Sequence, residues 1–179
     1  MTRIGAEKKR FLSFDMSNLL ILGAGQYGNV AKEIAESTGL YENISFLDDR
    51  SSIAIGLMEG YGKYISEYEN AVVAIGNPEI RLKFIGKLID EGYNVPTLIH
   101  SKAYVSTTAI IGKGCFVEPM AVVHTEAAIG MGCIISAGAI VNHNSVIGDG
   151  CHIDCGAIVG ARVSITDNTK VEFGQIVRE

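Results

Sequence analysis

The chain has 179 residues, 47% hydrophobic and 20% charged, with a net charge of −5 and four cysteines. This is the composition of one or two small globular domains, which excludes a disordered chain. The acidic balance, with no basic cluster beyond Glu7, Lys8, Lys9 and Arg10, excludes a nucleic-acid or anionic-membrane surface and leaves small molecules and copies of the chain itself as partners.

Residues 1–16 read as a polar extension without the apolar core of a secretory leader, and no apolar run approaches the roughly 20 residues of a membrane helix. The expectation is a cytoplasmic protein with no membrane insertion. The first domain, 17–97, begins with an apolar strand from Leu19 to Leu22. A turn with Gly23, Gly25 and Gly28 in G-x-G-x-x-G spacing leads into a helix that places Val30, Ile34 and Ala35 on one face. Such a turn lets the backbone approach a phosphate, and the helix start offers free N–H groups to it. By itself the motif is equally compatible with a tight strand-to-helix turn. A second strand ends in Asp48 and Asp49, where a carboxylate can accept from a ribose hydroxyl. Residues 50–70 form a connection without clear period. A third strand, 71–75, turns at Gly76 and Asn77 into a helix from Pro78 to Glu91. Three parallel strands make half of a Rossmann-like dinucleotide fold, which suits a mononucleotide or nucleotide sugar better than a hydride-carrying cofactor.

From Ile99 to Val177 every sixth residue is isoleucine or valine, fourteen positions without a miss. Four residues after each comes a slot that is small almost throughout, holding Cys115, Cys133 and Cys151 among its alanines and giving way to Val163, Thr169 and Gln175 near the end. A period of six belongs to a parallel β-helix of hexapeptide repeats, in which three hexapeptides complete a triangular coil. The second domain, 98–179, is therefore predicted as about four coils. Residues eighteen apart then stack, so that His124 and Asn142, Thr125 and His143, and Glu126 and Asn144 share one corner. An exposed corner histidine is often only solvated, but this cluster can support general base catalysis. The sequence around Cys151, His152 and Cys155 could suggest a metal, yet the period turns Cys151 inward and Cys155 to a corner, so no metal is expected.

With the glycine turn, Phe46 to Asp49, Ala74 to Arg81 and the hexapeptides in this order, the chain resembles the NeuD-like sugar acyltransferases over residues 17–162. The resemblance implies an α/β domain followed by a left-handed β-helix, a homotrimer with sites between neighbouring prisms, acetyl-CoA as donor and a nucleotide-activated sugar as acceptor. The segment Gly138–Ile153 matches the family stretch that carries the catalytic histidine. The resemblance thus gives that role to His143 and a substrate- or acyl-contacting role to His152. It implies a nucleotide-sugar pocket at Gly23, Ala24, Gly25, Asp48, Asp49, Asn77 and Arg81, and coenzyme contacts at Gly160 and Ala161. Where the family places acidic residues beside its histidine, this chain has Asn142 and Asn144, and Glu126 is expected to supply the carboxylate that orients His143. The activity implied is N-acetylation of a nucleotide-linked amino sugar. O-acetylation of a sugar or sialic acid is the rival reaction, and a noncatalytic nucleotide-sugar-binding module is the rival of another class.

Overall fold

A computed structural model describes residues 16–178, so the extension before Met16 lies outside the described residues. The first layer runs β1 (Ser17–Leu22), α1 (Gln26–Thr38), β2 (Tyr41–Leu47), a short 3-10 helix (Met58–Lys63), β3 (Asn70–Val73) and α2 (Pro78–Glu91). The three strands are parallel in the order β2-β1-β3. Strand β1 is apolar on both sides because both sides are covered. Leu19 and Ile21 pack with Ala31, Ile34 and Ala35 of α1, whereas Leu20 and Leu22 pack with Phe84, Ile85 and Leu88 of α2. Both helices stop at a left-handed glycine, Gly39 and Gly92.

From Leu98 onward the chain is a left-handed parallel β-helix of two-residue strands. Its first face stacks Leu98–Ile99, Phe116–Val117, Ile134–Ile135, His152–Ile153 and Lys170–Val171. The second stacks Tyr104–Val105, Val122–Val123, Ile140–Val141, Ile158–Val159 and Ile176–Val177. The third stacks Ile110–Ile111, Ala128–Ile129, Val146–Ile147 and Ser164–Ile165. Every pairing is in register at a step of eighteen residues, as in Phe116 with Ile134 and Ile134 with His152. The second residue of each strand points inward, and Val117, Val123, Ile135, Val141, Ile153 and Val159 are wholly buried.

The repeated phrase I-G-x-G-C occupies the corner between the third and first faces. A side chain on its first glycine would collide with the next coil, since a Cβ at Gly112 would lie 2.7 Å from the carbonyl carbon of Gly130. Its second glycine, Gly114, Gly132 or Gly150, takes a left-handed conformation to turn the corner. The cysteine that follows is inside, and its thiol donates to a carbonyl fifteen residues on: Cys115 to Gly130 and Cys133 to Gly148 at 3.0 Å, Cys151 to Thr166 at 3.1 Å. The neighbouring sulfur of Cys115, together with burial, pushes the Cys133 thiol up to about 12. These three thiols are packing residues, while Cys155 is half-buried at a different corner. In the native protein a thiol reagent is expected to label Cys155 alone, the other three reacting only after unfolding; rapid labelling of more than one site would contradict this packing.

The α/β layer sits on the first face of the prism. Leu98, Phe116 and Ile134 point outward there and are buried beneath α1, with the Tyr27 ring edge-on to Phe116 at 5.4 Å between centroids. The same outward column continues as His152 and Lys170, so it turns polar at the rim of the contact. Arg81 of α2 completes the joint. Its guanidinium is fully buried and donates to the carbonyls of Ile75, Gly76, Gly132 and Gly150 at 2.7–2.9 Å.

Candidate functional site

The first cluster lies at the corner between the second and third faces. Residues 142–145 form this corner in one coil and 124–127 form it in the coil before. Asn144 Nδ2 donates to Glu126 Oε2 at 2.5 Å, and Asn144 Oδ1 lies 3.0 Å from His143 Nδ1. The expected carboxylate is therefore present, but it acts on the imidazole through the Asn144 amide. With its NH2 committed to Glu126, the amide turns its oxygen toward His143 and can only accept there. That favours the Nδ1–H tautomer and leaves Nε2 with a free lone pair, the state a base needs. Asn144 and Glu126 both have positive φ, 59° and 57°. Asparagine accepts this conformation readily, whereas glutamate does so at a cost of about 1–2 kcal/mol. The exposed Glu126 thus occupies a corner position that glycine fills more cheaply elsewhere in the prism. His124 is exposed and makes an edge contact with Tyr104, 6.4 Å between ring centroids. His100 at the domain junction accepts the Lys102 N–H on its Nδ1.

The second cluster lies where the α/β layer meets the first face. Strands β2 and β3 flank β1, so the turns after β1 and β3 diverge and open a crevice between the starts of α1 and α2. Gly23 has a φ of 105° and Gly28 packs against the Gly23 carbonyl, so both shape the turn, whereas a Cβ at Gly25 would meet nothing within 4 Å. Helix α1 begins without a side-chain cap or an acidic residue in its first turn, which leaves its N-terminal dipole unopposed. Ala24 is held by its N–H donating to Asp48 Oδ2 at 2.8 Å, and Asp48 Oδ1 accepts from Arg50 and Ser51. These backbone donors, the Ala24 N–H foremost, keep the Asp48 carboxyl below the usual range. Asp49 accepts the Met58 N–H, and Asn77 caps α2 by accepting the Ile80 N–H. Asp48, Asp49 and Asn77 thus each hold backbone N–H groups of their own chain around these turns. Arg81, expected among the pocket residues, donates to the four backbone carbonyls of the joint and also lines a small cleft beside His152.

At the floor of this region His152 Nε2 is 2.9 Å from Ser136 Oγ and 3.8 Å from Asp154 Oδ1. Burial pushes the imidazole pKa down, partly opposed by Asp154, so its neutral form is favoured. Burial opposes ionisation of Asp154, but the Cys155 N–H and Lys170, 3.0 Å away, hold it below the ordinary range. Ser136 is linked to Glu118 and Glu118 to Tyr27. Neither Glu118 nor Tyr27 stands out in the sequence by type. The available signal was the eighteen-residue step, which stacks Glu118, Ser136 and Asp154 two positions after the Phe116, Ile134 and His152 column. Gly160 and Ala161 lie one coil beyond Asn142 and His143. The Gly160 N–H is paired with Val177, whereas that of Ala161 has no hydrogen bond among the described residues.

One chain does not bring the two clusters together. The His143 corner is the vertex opposite the first face of a triangular prism, and the α/β layer with His152 sits on that face. Among the described residues no three His, Cys, Asp or Glu side chains converge as a metal would require.

Residues 18–88 match the PglD N-terminal domain family, and residues 97–143 match the bacterial transferase hexapeptide family of six repeats. The acetyltransferase domain of PglB from Neisseria gonorrhoeae FA1090, solved with acetyl coenzyme A, is 32% identical with a TM-score of 0.88; the match covers 92% of this chain and 83% of that one. The chain belongs to the NeuD-like sugar acyltransferases. A curated member, the UDP-N-acetylbacillosamine N-acetyltransferase of Bacillus subtilis (strain 168), is 30% identical over 111 residues, 57% of this chain and 51% of the relative. The chain thus spans about half the length of that relative. A mutant perosamine N-acetyltransferase from Caulobacter crescentus, solved with CoA and GDP-perosamine, shares the fold with a TM-score of 0.79 at 22% identity, over 90% of this chain and 89% of that one. In this chain the hexapeptide prism carries both histidine clusters, and the α/β layer supplies the glycine turn.

Proposed function

We propose that the protein is an acetyl-CoA-dependent N-acetyltransferase of a nucleotide-linked amino sugar, working as a homotrimer with His143 as general base. The observation that carries this reading is the Glu126–Asn144–His143 chain of hydrogen bonds, which engages Nδ1 and leaves Nε2 without a partner among the described residues. Relatives described with acetyl-CoA, or with CoA and a nucleotide amino sugar, supply the substrate classes. The nucleotide phosphates would sit at Gly25 and the start of α1. In the transfer the amine nitrogen attacks the thioester carbonyl and passes its proton to His143 Nε2. The C–S bond then breaks, and CoA leaves as a thiolate that recovers a proton. The unpaired Ala161 N–H, one coil above His143, is suited to the oxyanion.

The separation of the two clusters supports assembly. A trimer would bring the His143 corner of one copy to the crevice and His152 of the next. The faces flanking that corner expose Tyr104, Ile110, Val146 and Ile176, apolar surface suited to burial between prisms. Four free cysteines and a reaction that draws on acetyl-CoA fit the cytoplasm.

The test is incubation with acetyl-CoA and nucleotide-linked amino sugars, with hydroxyl counterparts as controls, read by mass spectrometry. Acetylation of the amine is expected. Acetylation confined to a hydroxyl would replace this reading by the O-acetyltransferase, and nucleotide-sugar binding without coenzyme binding or turnover would replace it by the noncatalytic module.

A further inference from the structure

Glu118 is an acid placed where acids are costly. It lies in the contact between the α/β layer and the prism, only 8% exposed, and burial pushes its pKa up. Its surroundings nevertheless suit a carboxylate, because every polar group that touches it can donate. Oε2 accepts the Ala137 N–H at 2.9 Å, and Oε1 accepts the Tyr27 hydroxyl at 3.2 Å and the Ser136 hydroxyl at 3.3 Å. A residue that served only to fill this space would not need three converging donors.

The consequence reaches His152. Serine has one proton to give, and Ser136 gives it to Glu118. Its oxygen then faces His152 Nε2 as an acceptor, 2.9 Å away, so the imidazole must carry its proton on Nε2. Nδ1 has no partner among the described residues and is left as a lone pair. His152 lines a cleft of about 120 Å³ between the start of α2, at Gly76 and Pro78, and the prism corner at Gly150 and Thr169. At its other end the chain of hydrogen bonds reaches Tyr27, in the first turn of α1 just after Gly25.

The geometry points to Glu118 as a positioning residue that fixes the tautomer of His152 through Ser136 and ties it, through Tyr27, to the glycine turn. His152 thereby offers a hydrogen-bond acceptor in the cleft rather than a donor, which suits a substrate hydroxyl or amine. The catalytic consequence rests on the acetyltransferase reading, but the tautomer itself does not.

The test uses the full-length protein with 15N-labelled histidine, correlating ring nitrogens with carbon-bound protons; His152→Gln identifies the His152 signals. In the native protein His152 is expected as the Nε2–H tautomer. In Glu118→Gln the new amide oxygen must keep the buried Ala137 N–H paired. Its NH2 group then faces Ser136 and Tyr27, and the Ser136 proton is released toward His152 Nε2. The expected result is a swap to the Nδ1–H tautomer, with the two ring nitrogens exchanging their shifts. Ser136→Ala, which removes the relay without changing Glu118, is expected to give a mixture of tautomers. A His152 that stays Nε2–H in both variants overturns the proposal. With an accepted amino sugar, Glu118→Gln should lower kcat about tenfold or more, the scale of outer-shell changes at other sites, with KM for acetyl-CoA little changed. A tautomer swap with unchanged kcat would overturn the catalytic role. Failure to turn over any amino sugar in the native protein would instead sink the acetyltransferase reading and leave the tautomer result standing.

Discussion

Replacing His143 by alanine is expected to lower kcat for acetyl transfer by about 10²–10⁴-fold, the usual contribution of a positioned general base, with much smaller changes in KM. The side chain lies at a corner outside the packed interior, so folding should be preserved and the loss should appear in turnover. The supporting residues should follow a graded order that an isolated surface histidine would not show. Asn144→Ala removes the direct partner of Nδ1, and Glu126→Ala frees the Asn144 amide to rotate and offer its NH2 to the ring. Either change moves the imidazole toward the Nε2–H tautomer, in which the catalytic nitrogen already carries a proton. Glu126→Gln still offers an oxygen to Asn144 Nδ2 and should cost less than Glu126→Ala. Steady-state kinetics across pH check the series. If His143→Ala retains more than about a tenth of native kcat, the base lies elsewhere.

The prism was legible in the sequence because a hexapeptide coil repeats one local constraint many times. Each inward isoleucine or valine reports the same geometry, so one misfit would have shown. Its handedness was not legible from the period, since parallel crossovers are ordinarily right-handed, and it came from the family resemblance. The stacking that joins Glu126 to Asn144 followed directly from the step of eighteen. The route from Glu126 to His143 did not, because the side-chain directions there depend on left-handed backbone at both residues, and spacing carries no φ.

In the α/β layer the glycine turn was readable, and the polar residues around it were less so. Asp48, Asn77 and Arg81 are residue types that bind ligands or the backbone of their own chain with the same atoms. Only burial and partners separate the two uses. Arg81 did carry a sequence signal of its own: it stands three, four and seven residues before Phe84, Ile85 and Leu88, on the apolar stripe of α2. An arginine in that stripe either faces solvent at the edge of a contact or is spent inside it, and here it is spent inside.

Substitution of Arg81 by alanine is accordingly expected to destabilise the protein by about 3–5 kcal/mol, the combined effect of a cavity and several buried carbonyls left without donors. Arg81→Lys should recover only part of this. An ammonium offers three donors from a single point and cannot reach carbonyls on opposite sides as the guanidinium fork does. The partners explain why the loss should reach the site as well. Ile75 and Gly76 belong to the turn that opens the crevice, and Gly132 and Gly150 belong to the prism corner beside His152. Arg81 therefore pins the crevice to the prism, and without it the α/β layer should unfold in urea before the β-helix does. Fluorescence and circular dichroism would then give separate transitions in place of one. A variant within about 0.5 kcal/mol of the native protein that has lost nucleotide-sugar binding would reverse the assignment, returning Arg81 to the pocket and leaving the joint to Phe116, Ile134 and the apolar face of α1.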